Sequence, residues 1–269
     1  MIDTIELNKG EYMEKELVYQ RVLEEAKQDP NVLGFILGGG RGKGLATEHS
    51  DYDIIMVVPD EKKTEYETRY ETEDLKKKEV DIGIWPLSDF KKYGTWHDES
   101  AGHAYNFAHL QAAVDRTGEI QQLINEKAKI PETEIHKFVN GELDKFINYY
   151  YRAVKNHRDG SELASHLDAA ESMPVLISLF FALEGKVRPY NKHLEWELKN
   201  FPLEKLPWSP EEFLKIVNTI VTTGDIELLK QTYNKVYEVF DREGFKEILD
   251  GWNGYYGMIT RPKAEGSGR

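Results

Sequence analysis

A glycine-rich loop between two short apolar segments constrains the fold of this chain more than any other feature. The first apolar segment covers residues 32–37 and runs directly into the loop at residues 38–44, while the second covers residues 54–58. Both have the length and the aliphatic composition of buried strands. The sequence therefore predicts two strands that hold a polar, glycine-rich loop between them.

Two aspartates open the second predicted strand. Because successive side chains of an extended chain point to opposite faces, Asp51 and Asp53 project to the same face, roughly 6 to 7 Å apart. A third strand-like alternation covers residues 80–85 and contains Asp81. Carboxylate oxygens are hard ligands that suit magnesium, and two such ions can clamp the attacking and leaving oxygens of a phosphate. We therefore expect all three aspartates to be catalytic metal ligands.

The glycine loop is a candidate phosphate-binding segment. A backbone without Cβ atoms can bring successive N–H groups close to phosphate oxygens, and Gly39 and Gly40 suit that role. Lys43 and Ser50 lie in the same polar segment and are assigned with the glycines to a nucleoside triphosphate. Other phosphate motifs fail, because the Gly-Lys pair is followed by Gly44 rather than Ser or Thr, and the dinucleotide-binding glycine spacing is incomplete.

The order of these motifs resembles that of the nucleotidyltransferase superfamily, whose signature is a Gly-Ser or Gly-Gly pair, a basic loop, a D-x-D and a distal third acid. The matching residues here are Gly39, Gly40, Asp51, Asp53 and Asp81. The resemblance implies magnesium-dependent transfer of a nucleoside monophosphate, with AMP from ATP expected. It also implies that Asp51 and Asp53 hold the metals, while Asp81 ligates one or removes the acceptor proton.

Two loop residues depart from the family pattern. Gly40 stands where the family often has Ser, so a hydroxyl contact to phosphate is lost while the backbone donor remains. Lys43 stands where such loops often carry Arg, and an ammonium neutralises phosphate as a point charge without a bidentate fork. We expect both residues to keep a role in triphosphate binding.

Composition agrees with an intracellular enzyme. The 269 residues, 40% of them hydrophobic, suffice for one large core or two modest ones. The sequence contains no cysteine, which excludes disulfides and thiolate zinc sites, and residues 1–15 lack the apolar segment of a signal peptide. The longest nearly apolar run, residues 173–183, is too short to cross a membrane. We expect a cytoplasmic protein with no membrane partner.

The formal net charge of −13 bears on the partner. Proteins that bind a nucleic-acid backbone carry a basic footprint, so this acidity argues against a nucleic-acid partner. It favours a cationic or neutral small-molecule acceptor, although many enzymes are acidic for solubility alone.

Strand signals end near the middle of the chain and predict two domains. We expect an α+β nucleotidyltransferase domain over residues 1–129, a small mixed β-sheet with flanking helices. It opens with a helix at residues 11–27 and has a fourth strand at residues 112–115. Residues 130–262 are expected to form an all-α helical bundle that binds substrate, followed by a disordered tail at residues 263–269.

Helical periodicity and capping signals define the second domain. Apolar residues at helical spacing predict long helices over residues 134–157 and 162–183. Ser209 opens a capping box with Glu212, and Asp225 is placed to cap a further helix. Short glycine-containing connections are typical of antiparallel neighbours in a bundle.

The helical half sharpens the resemblance, because kanamycin and lincosamide nucleotidyltransferases join such a bundle to their catalytic domain. In the kanamycin type, a bundle helix supplies a catalytic Glu and, one turn later, a Lys. Lys155 matches that lysine and is implied to hold the transferred phosphate, but Tyr151 stands where the Glu is expected. The general base is therefore left open: Asp81 is the first candidate, with Glu171 and Glu99 in reserve.

The same resemblance implies the acceptor class. Aminoglycoside-like or lincosamide-like antibiotics lead as the small molecules whose hydroxyl receives the nucleotide, and relatives of the kanamycin type make a homodimer plausible. Housekeeping members of the superfamily share the same motifs. A role in antibiotic resistance therefore does not follow from the motifs alone.

The sequence leaves two alternative functions. Arg152 and His157 have the R-x4-H spacing that resembles the ribonuclease motif of HEPN toxins. Residues five apart lie about 140° apart around a helix, so these side chains do not stack. A nucleotide-binding regulator without transferase activity is the other alternative. Three intact acids favour catalysis over a regulator, since a pure sensor does not require all three.

Overall fold

The computed structural model describes the backbone of residues 2–256, with side chains described over residues 13–252 apart from Lys76. The chain divides between Lys129 and Ile130 into two compact units. The predicted disordered tail at residues 263–269 lies outside the described residues.

The first unit is a four-stranded sheet with helices packed against both of its faces. It also contains two 3-10 helices, Asp60–Lys62 and Glu99–Phe107. Its other elements are α1 (Ile2–Gln28), β1 (Gly34–Leu37), α2 (Gly39–Gly42), β2 (Tyr52–Val58), α3 (Lys63–Tyr70), α4 (Glu73–Lys77), β3 (Val80–Pro86), α5 (Leu87–Lys92), β4 (Ala112–Asp115) and α6 (Glu119–Lys127).

The sheet has the strand order β3-β2-β1-β4. β2 and β3 are parallel, whereas β1 pairs antiparallel with both β2 and β4. A parallel pair needs a crossover connection, and the charged segment between β2 and β3 supplies it as α3 and α4. The predicted α+β class, with a small mixed sheet and a largely helical C-terminal part, is confirmed.

Alternation along the strands sends their side chains to two separate cores. The first core lies between the sheet and the helices α1 and α3, and includes Val18, Val22, Tyr52, Ile54, Met56, Tyr66, Val80 and Ile82. The second lies on the opposite face against α5 and α6, and includes Ile36, Ile55, Val57, Trp85, Phe90, Ile120 and Ile124. Asp53 and Asp81 alternate with members of the first core, so they belong to the second face.

Arg116 joins the end of α1 to the segment that leads into β1. Its Nη2 donates to the carbonyls of Lys27 and Asp29 at 2.7 and 2.9 Å, and its Nε donates to the carbonyl of Val32 at 2.9 Å. The last carbonyls of a helix have no partners within the helix. One guanidinium therefore binds carbonyls at the end of α1 and at the start of the segment that leads through β1 into the glycine turn, residues 38–42.

The second unit is helical throughout most of its described length. It contains α7 (Glu132–Arg158), α8 (Glu162–Leu183), α9 (Leu194–Asn200), α10 (Pro210–Thr223), α11 (Ile226–Arg242), α12 (Lys246–Tyr256) and a 3-10 helix at Asn191–His193. The predicted capping box is confirmed, because the Ser209 hydroxyl accepts from the Glu212 amide at 3.2 Å and the Glu212 carboxylate accepts from the Ser209 amide at 2.9 Å. The Asp225 carboxylate caps α11 by accepting from the Leu228 amide at 2.9 Å.

Helix α8 has 22 residues and contains the apolar run at residues 173–183 as its C-terminal half. By length and composition it could cross a membrane, but most of it is buried inside the helical unit. Phe180 on this helix packs edge-on against Phe213 and Phe240, with ring centroids 6.1 and 5.6 Å apart. These contacts are those of a core helix in a helical bundle.

Candidate functional site

One edge of the sheet brings the predicted site residues together. β2 and β3 are parallel and start at this edge, with Tyr52 paired to Val80 and Asp53 paired to Asp81. β1 is antiparallel to β2 and ends at the same edge, where Leu37 pairs with Ile54. The glycine turn that follows β1 therefore lies beside the aspartates that open β2 and β3.

Asp53 and Asp81 are direct neighbours across the parallel pair. They are register partners, and adjacent strands of a sheet lie about 4.8 Å apart. Asp53 is half-buried and Asp81 is exposed. Asp51 immediately precedes β2, two residues before Asp53, and is exposed as well. Two of the predicted acids are thus adjacent on one face, and the third lies at its rim.

The glycine turn packs directly against Asp53. The Gly38 amide donates to the Asp53 carbonyl at 2.7 Å, which extends the pairing of β1 and β2 into the turn. Gly39 has a φ of +55°, and a Cβ built there would lie 2.1 Å from Oδ2 of Asp53. Left-handed backbone favours glycine, and a side chain here would have to displace the Asp53 carboxylate. Position 39 therefore suits glycine both through its backbone conformation and through the carboxylate that lies against it.

Gly40 is in a different situation. A Cβ built on Gly40 would lie 3.4 Å from the Leu45 carbonyl oxygen and 4.0 Å from Oγ of Ser50. These are ordinary van der Waals distances, so the turn has room for a small side chain at this position. The Ser that nucleotidyltransferases often have there would fit the backbone of this chain.

Arg41 holds the segment that leads into β2. Its Nη2 donates to the Ser50 carbonyl at 2.7 Å and its Nε donates to the Asp51 carbonyl at 2.9 Å. The Ser50 hydroxyl accepts from the Thr47 amide at 2.8 Å. Ser50 thus lies beside the glycine turn, and Arg41 of that turn holds its main chain. Binding of the triphosphate by Ser50 stays a prediction.

Lys43 is buried, and its contacts differ from those that the sequence suggested. Its ammonium donates to the carbonyls of Tyr105 and Asn106 at 3.1 and 3.2 Å and to the carbonyl of Ala108, and it lies 4.7 Å from the centroid of the Tyr105 ring. These contacts tie the glycine loop to the chain before β4. Binding of phosphate by Lys43 stays a prediction, and the observed contacts favour a structural role.

The three acids were expected to share a metal site. Among the side chains that the structure describes, no three His, Asp or Glu residues form a group that could hold a metal ion. The predicted donor atoms are nevertheless at one edge, with Asp53 and Asp81 in register. This donor set fits magnesium, because that ion binds through one or two carboxylates together with water and substrate phosphates. A closed cage of three carboxylates is not required.

We expect Gly42→Ala to destabilise the first unit by about 3 kcal/mol, because a side chain would overpack the turn. A Cβ on Gly42 would lie 2.0 Å from the Leu37 carbonyl oxygen and 2.8 Å from Cδ2 of Leu110, so the backbone at the end of β1 must move. Urea denaturation followed by circular dichroism measures the loss. Gly102→Ala is the matched control, since its Cβ would meet nothing within 4 Å. Equal stability of the two variants would contradict the close packing of the turn.

Lys155 and Tyr151 lie one turn apart on α7 in the second unit. Lys155 is exposed, and the ring of Tyr151 has its centroid 6.1 Å from that of Trp252. Their roles toward substrate stay predictions. The reserve bases Glu99 and Glu171 are both exposed, Glu99 in the 3-10 helix of the first unit and Glu171 on α8 of the second.

Asp168 on α8 is a buried acid that the sequence did not single out. Its carboxylate pairs with the Arg152 guanidinium at 2.8 Å and accepts from the Asn156 side-chain amide at 2.7 Å. Burial raises the pKa of the Asp168 carboxyl, while Arg152 and Asn156 oppose that rise. His157 lies 3.2 Å from a carboxylate oxygen of Glu162. The two members of the R-x4-H spacing thus contact different carboxylates.

One comparison, with a family model, agrees with the first unit as the catalytic candidate. A family model described as a nucleotidyltransferase domain matches residues 19–101, which include the glycine turn and all three acids. No curated protein matches. Among solved structures, a nucleotidyltransferase-like protein from Exiguobacterium sibiricum 255-15 is similar at 13% identity with a TM-score of 0.37, covering 90% of this chain and 93% of that one. The finer resemblance to kanamycin and lincosamide enzymes stays a prediction.

Proposed function

We propose that this protein is a magnesium-dependent nucleotidyltransferase that moves a nucleoside monophosphate, AMP from ATP in the first instance, to a hydroxyl of a small molecule. One observation carries the proposal: Asp53 and Asp81 are register partners beside a glycine turn that packs on the Asp53 carboxylate. The family match over residues 19–101 supports nucleotidyl transfer in general. Acids and glycines at one sheet edge suit a triphosphate that is bound together with a divalent ion.

Each residue has a proposed role in the transfer. Asp51 and Asp53 would hold magnesium, which neutralises charge on the phosphates when it is bound. The main chain at Gly39 and Gly40 and the Ser50 hydroxyl would hold the triphosphate. The acceptor oxygen forms a bond to the α-phosphorus as the bond to pyrophosphate breaks, and Asp81 takes the acceptor proton.

The proposal also covers the acceptor, the cellular compartment and the oligomeric state. The acidic chain favours a cationic or neutral acceptor, and an aminoglycoside-like or lincosamide-like molecule is the first class to test. Lys155 is assigned to the transferred phosphate by resemblance. A cytoplasmic homodimer without a nucleic-acid or membrane partner completes the proposed setting.

A screen of acceptors tests the function directly. The protein is incubated with α-labelled ATP, magnesium and a panel of aminoglycosides, lincosamides and simple polyols, and label transfer is read by chromatography and mass. A product heavier than the acceptor by one adenylyl group, which is AMP less one water, and formed only with magnesium, supports the proposal. ATP binding without transfer to any acceptor would favour a nucleotide-binding regulator.

The general base is tested by Asp81→Asn against Tyr151→Phe. A phenol hydroxyl is a poor base at neutral pH, whereas a carboxylate can accept the proton. We expect Asp81→Asn to lose most of kcat and to flatten the acidic limb of the pH profile, because protonation of the base no longer limits the rate. Tyr151→Phe should retain most of kcat and change chiefly the acceptor KM.

The same pair can contradict the assignment. If Tyr151→Phe is as inactive as Asp81→Asn at unchanged acceptor affinity, the phenol takes part in chemistry. Glu99→Gln and Glu171→Gln then serve to show whether a reserve carboxylate acts instead.

A further inference from the structure

The D-x-D segment is fastened by a side chain from the glycine turn. Arg41 uses two nitrogens of one guanidinium to hold the consecutive carbonyls of Ser50 and Asp51, at 2.7 and 2.9 Å. The planar fork of arginine can make two such bonds at once with little loss of side-chain freedom. The main chain that carries Asp51 is therefore tied to the turn that contacts Asp53.

The guanidinium is itself held by the residue between the two acids. The carbon at the centre of the Arg41 guanidinium lies 4.1 Å from the centroid of the Tyr52 ring, a cation–π distance. Tyr52 is 2% exposed, and its ring stacks on Tyr19 of α1 with centroids 4.9 Å apart. Arg41 thus packs on a buried aromatic residue that also packs against α1.

A hydrogen bond to α1 completes this network. The Tyr52 hydroxyl donates to the carboxylate of Glu16. This bond, together with one from Gln20 and the nearby charge of Arg41, keeps the pKa of the Glu16 carboxyl below its ordinary value. Glu16 therefore stays ionised as a partner for the Tyr52 hydroxyl near neutral pH.

We infer that Arg41 is a positioning residue, whose guanidinium sets the main chain of Ser50 and Asp51 so that Asp51 and Asp53 present their carboxylates together to the metal–nucleotide complex. This inference rests on the proposed function. Sequence alone suggests that a basic residue in a glycine loop binds phosphate, but the contacts of Arg41 assign it to the carbonyls of Ser50 and Asp51, which flank the Cα atom of Asp51. Its effect on the reaction is therefore through Asp51.

Arg41→Gln tests the inference with two readouts, transfer turnover and binding of Mn2+ with ATP measured by electron paramagnetic resonance. A displacement of about 1 Å can lower turnover by about 10²-fold, so we expect a loss of that order. We also expect a higher metal concentration for half-saturation, with most of the thermal stability retained. Arg41→Lys keeps the charge but not the fork and should recover part of both losses.

Controls separate positioning from folding and from a failure of the proposed function. Arg21→Gln removes an exposed arginine of α1, whose Nε lies 3.8 Å from Glu25, and should match wild type. If Arg41→Gln unfolds, Tyr52→Phe keeps the ring under the guanidinium, removes the bond to Glu16 and should still raise the metal requirement. The inference would be overturned if Arg41→Gln folds and keeps wild-type turnover and metal dependence. If Arg41→Gln unfolds, an unchanged metal requirement in Tyr52→Phe would overturn it. Absence of Mn2+ binding in the wild type would instead count against the proposed function.

Discussion

Asp53→Asn is expected to lower the transfer rate by about three orders of magnitude, the scale on which removal of one preorganised electrostatic contact reduces catalysis. The Asp53 carbonyl accepts from the Gly38 amide of the glycine turn, its carboxylate lies against Gly39, and it pairs in register with Asp81. Asparagine keeps the shape that the turn packs against but removes the charge that a magnesium ion requires. The loss should therefore appear in turnover rather than in stability.

The measurement is kcat at saturating magnesium and ATP, with thermal unfolding recorded on the same samples. Asp51→Asn should show a loss of the same kind, because its carboxylate is the second proposed metal ligand. Glu48→Gln is the matched control: Glu48 is an exposed carboxylate of the same loop that pairs with His49 at 3.4 Å. It removes the same charge near the site and should leave turnover unchanged. Wild-type turnover in Asp53→Asn would contradict the role of Asp53 as a metal ligand and therefore the proposed mechanism.

The strands and the acids could be predicted from sequence because their signals are local. An apolar segment such as residues 54–58 marks a strand by itself, and the D-x-D at its start marks the acidic end. The predicted strand at residues 112–115 has the bounds that β4 has in the structure. Glycines next to acids were sufficient to locate the sheet edge as the candidate site.

The roles of the basic residues could not be predicted, because their partners are distant in sequence or belong to the main chain. Lys43 contacts carbonyls of residues 105–108, and no pattern around Lys43 indicates that segment. Arg41 contacts carbonyls, which are present in every residue and leave no sequence signal. Asp168 on α8 pairs with Arg152 on α7, and this ion pair forms only when the two helices pack together. Tertiary contacts thus decide whether a cation in such a loop faces a phosphate or the protein.

The sequence also could not show that the two adjacent glycines of the turn have different surroundings. Gly39 and Gly40 are equivalent as residue types, and both were assigned to phosphate binding for their lack of a Cβ. Only at Gly39 does the structure exclude a side chain, through a φ of +55° and the Asp53 carboxylate 2.1 Å from the Cβ position. The two positions should therefore respond differently to the same methyl group.

Gly39→Ala is expected to lower kcat by about 10²-fold, because the new methyl group must displace the Asp53 carboxylate from its place on the turn. Left-handed backbone adds a strain of about 1 kcal/mol for a residue with a Cβ. Gly40→Ala leaves Asp53 where it is and should act on the KM for ATP rather than on kcat. Steady-state kinetics on both variants, with thermal unfolding on the same samples, measure the contrast.

A third glycine separates the effect of backbone strain from the effect of displacing the Asp53 carboxylate. Gly118 has a φ of +74° and nothing within 4 Å of its Cβ position. It follows β4 at the end of the sheet opposite to the three candidate acids, so Gly118→Ala introduces the same kind of backbone strain away from them. It should lose stability as Gly39→Ala does and keep its turnover. If Gly39→Ala and Gly118→Ala have the same kcat, the contact between the turn and Asp53 does not position the carboxylate. If Gly39→Ala alone loses turnover, the glycine is required because a catalytic carboxylate occupies the space of its side chain.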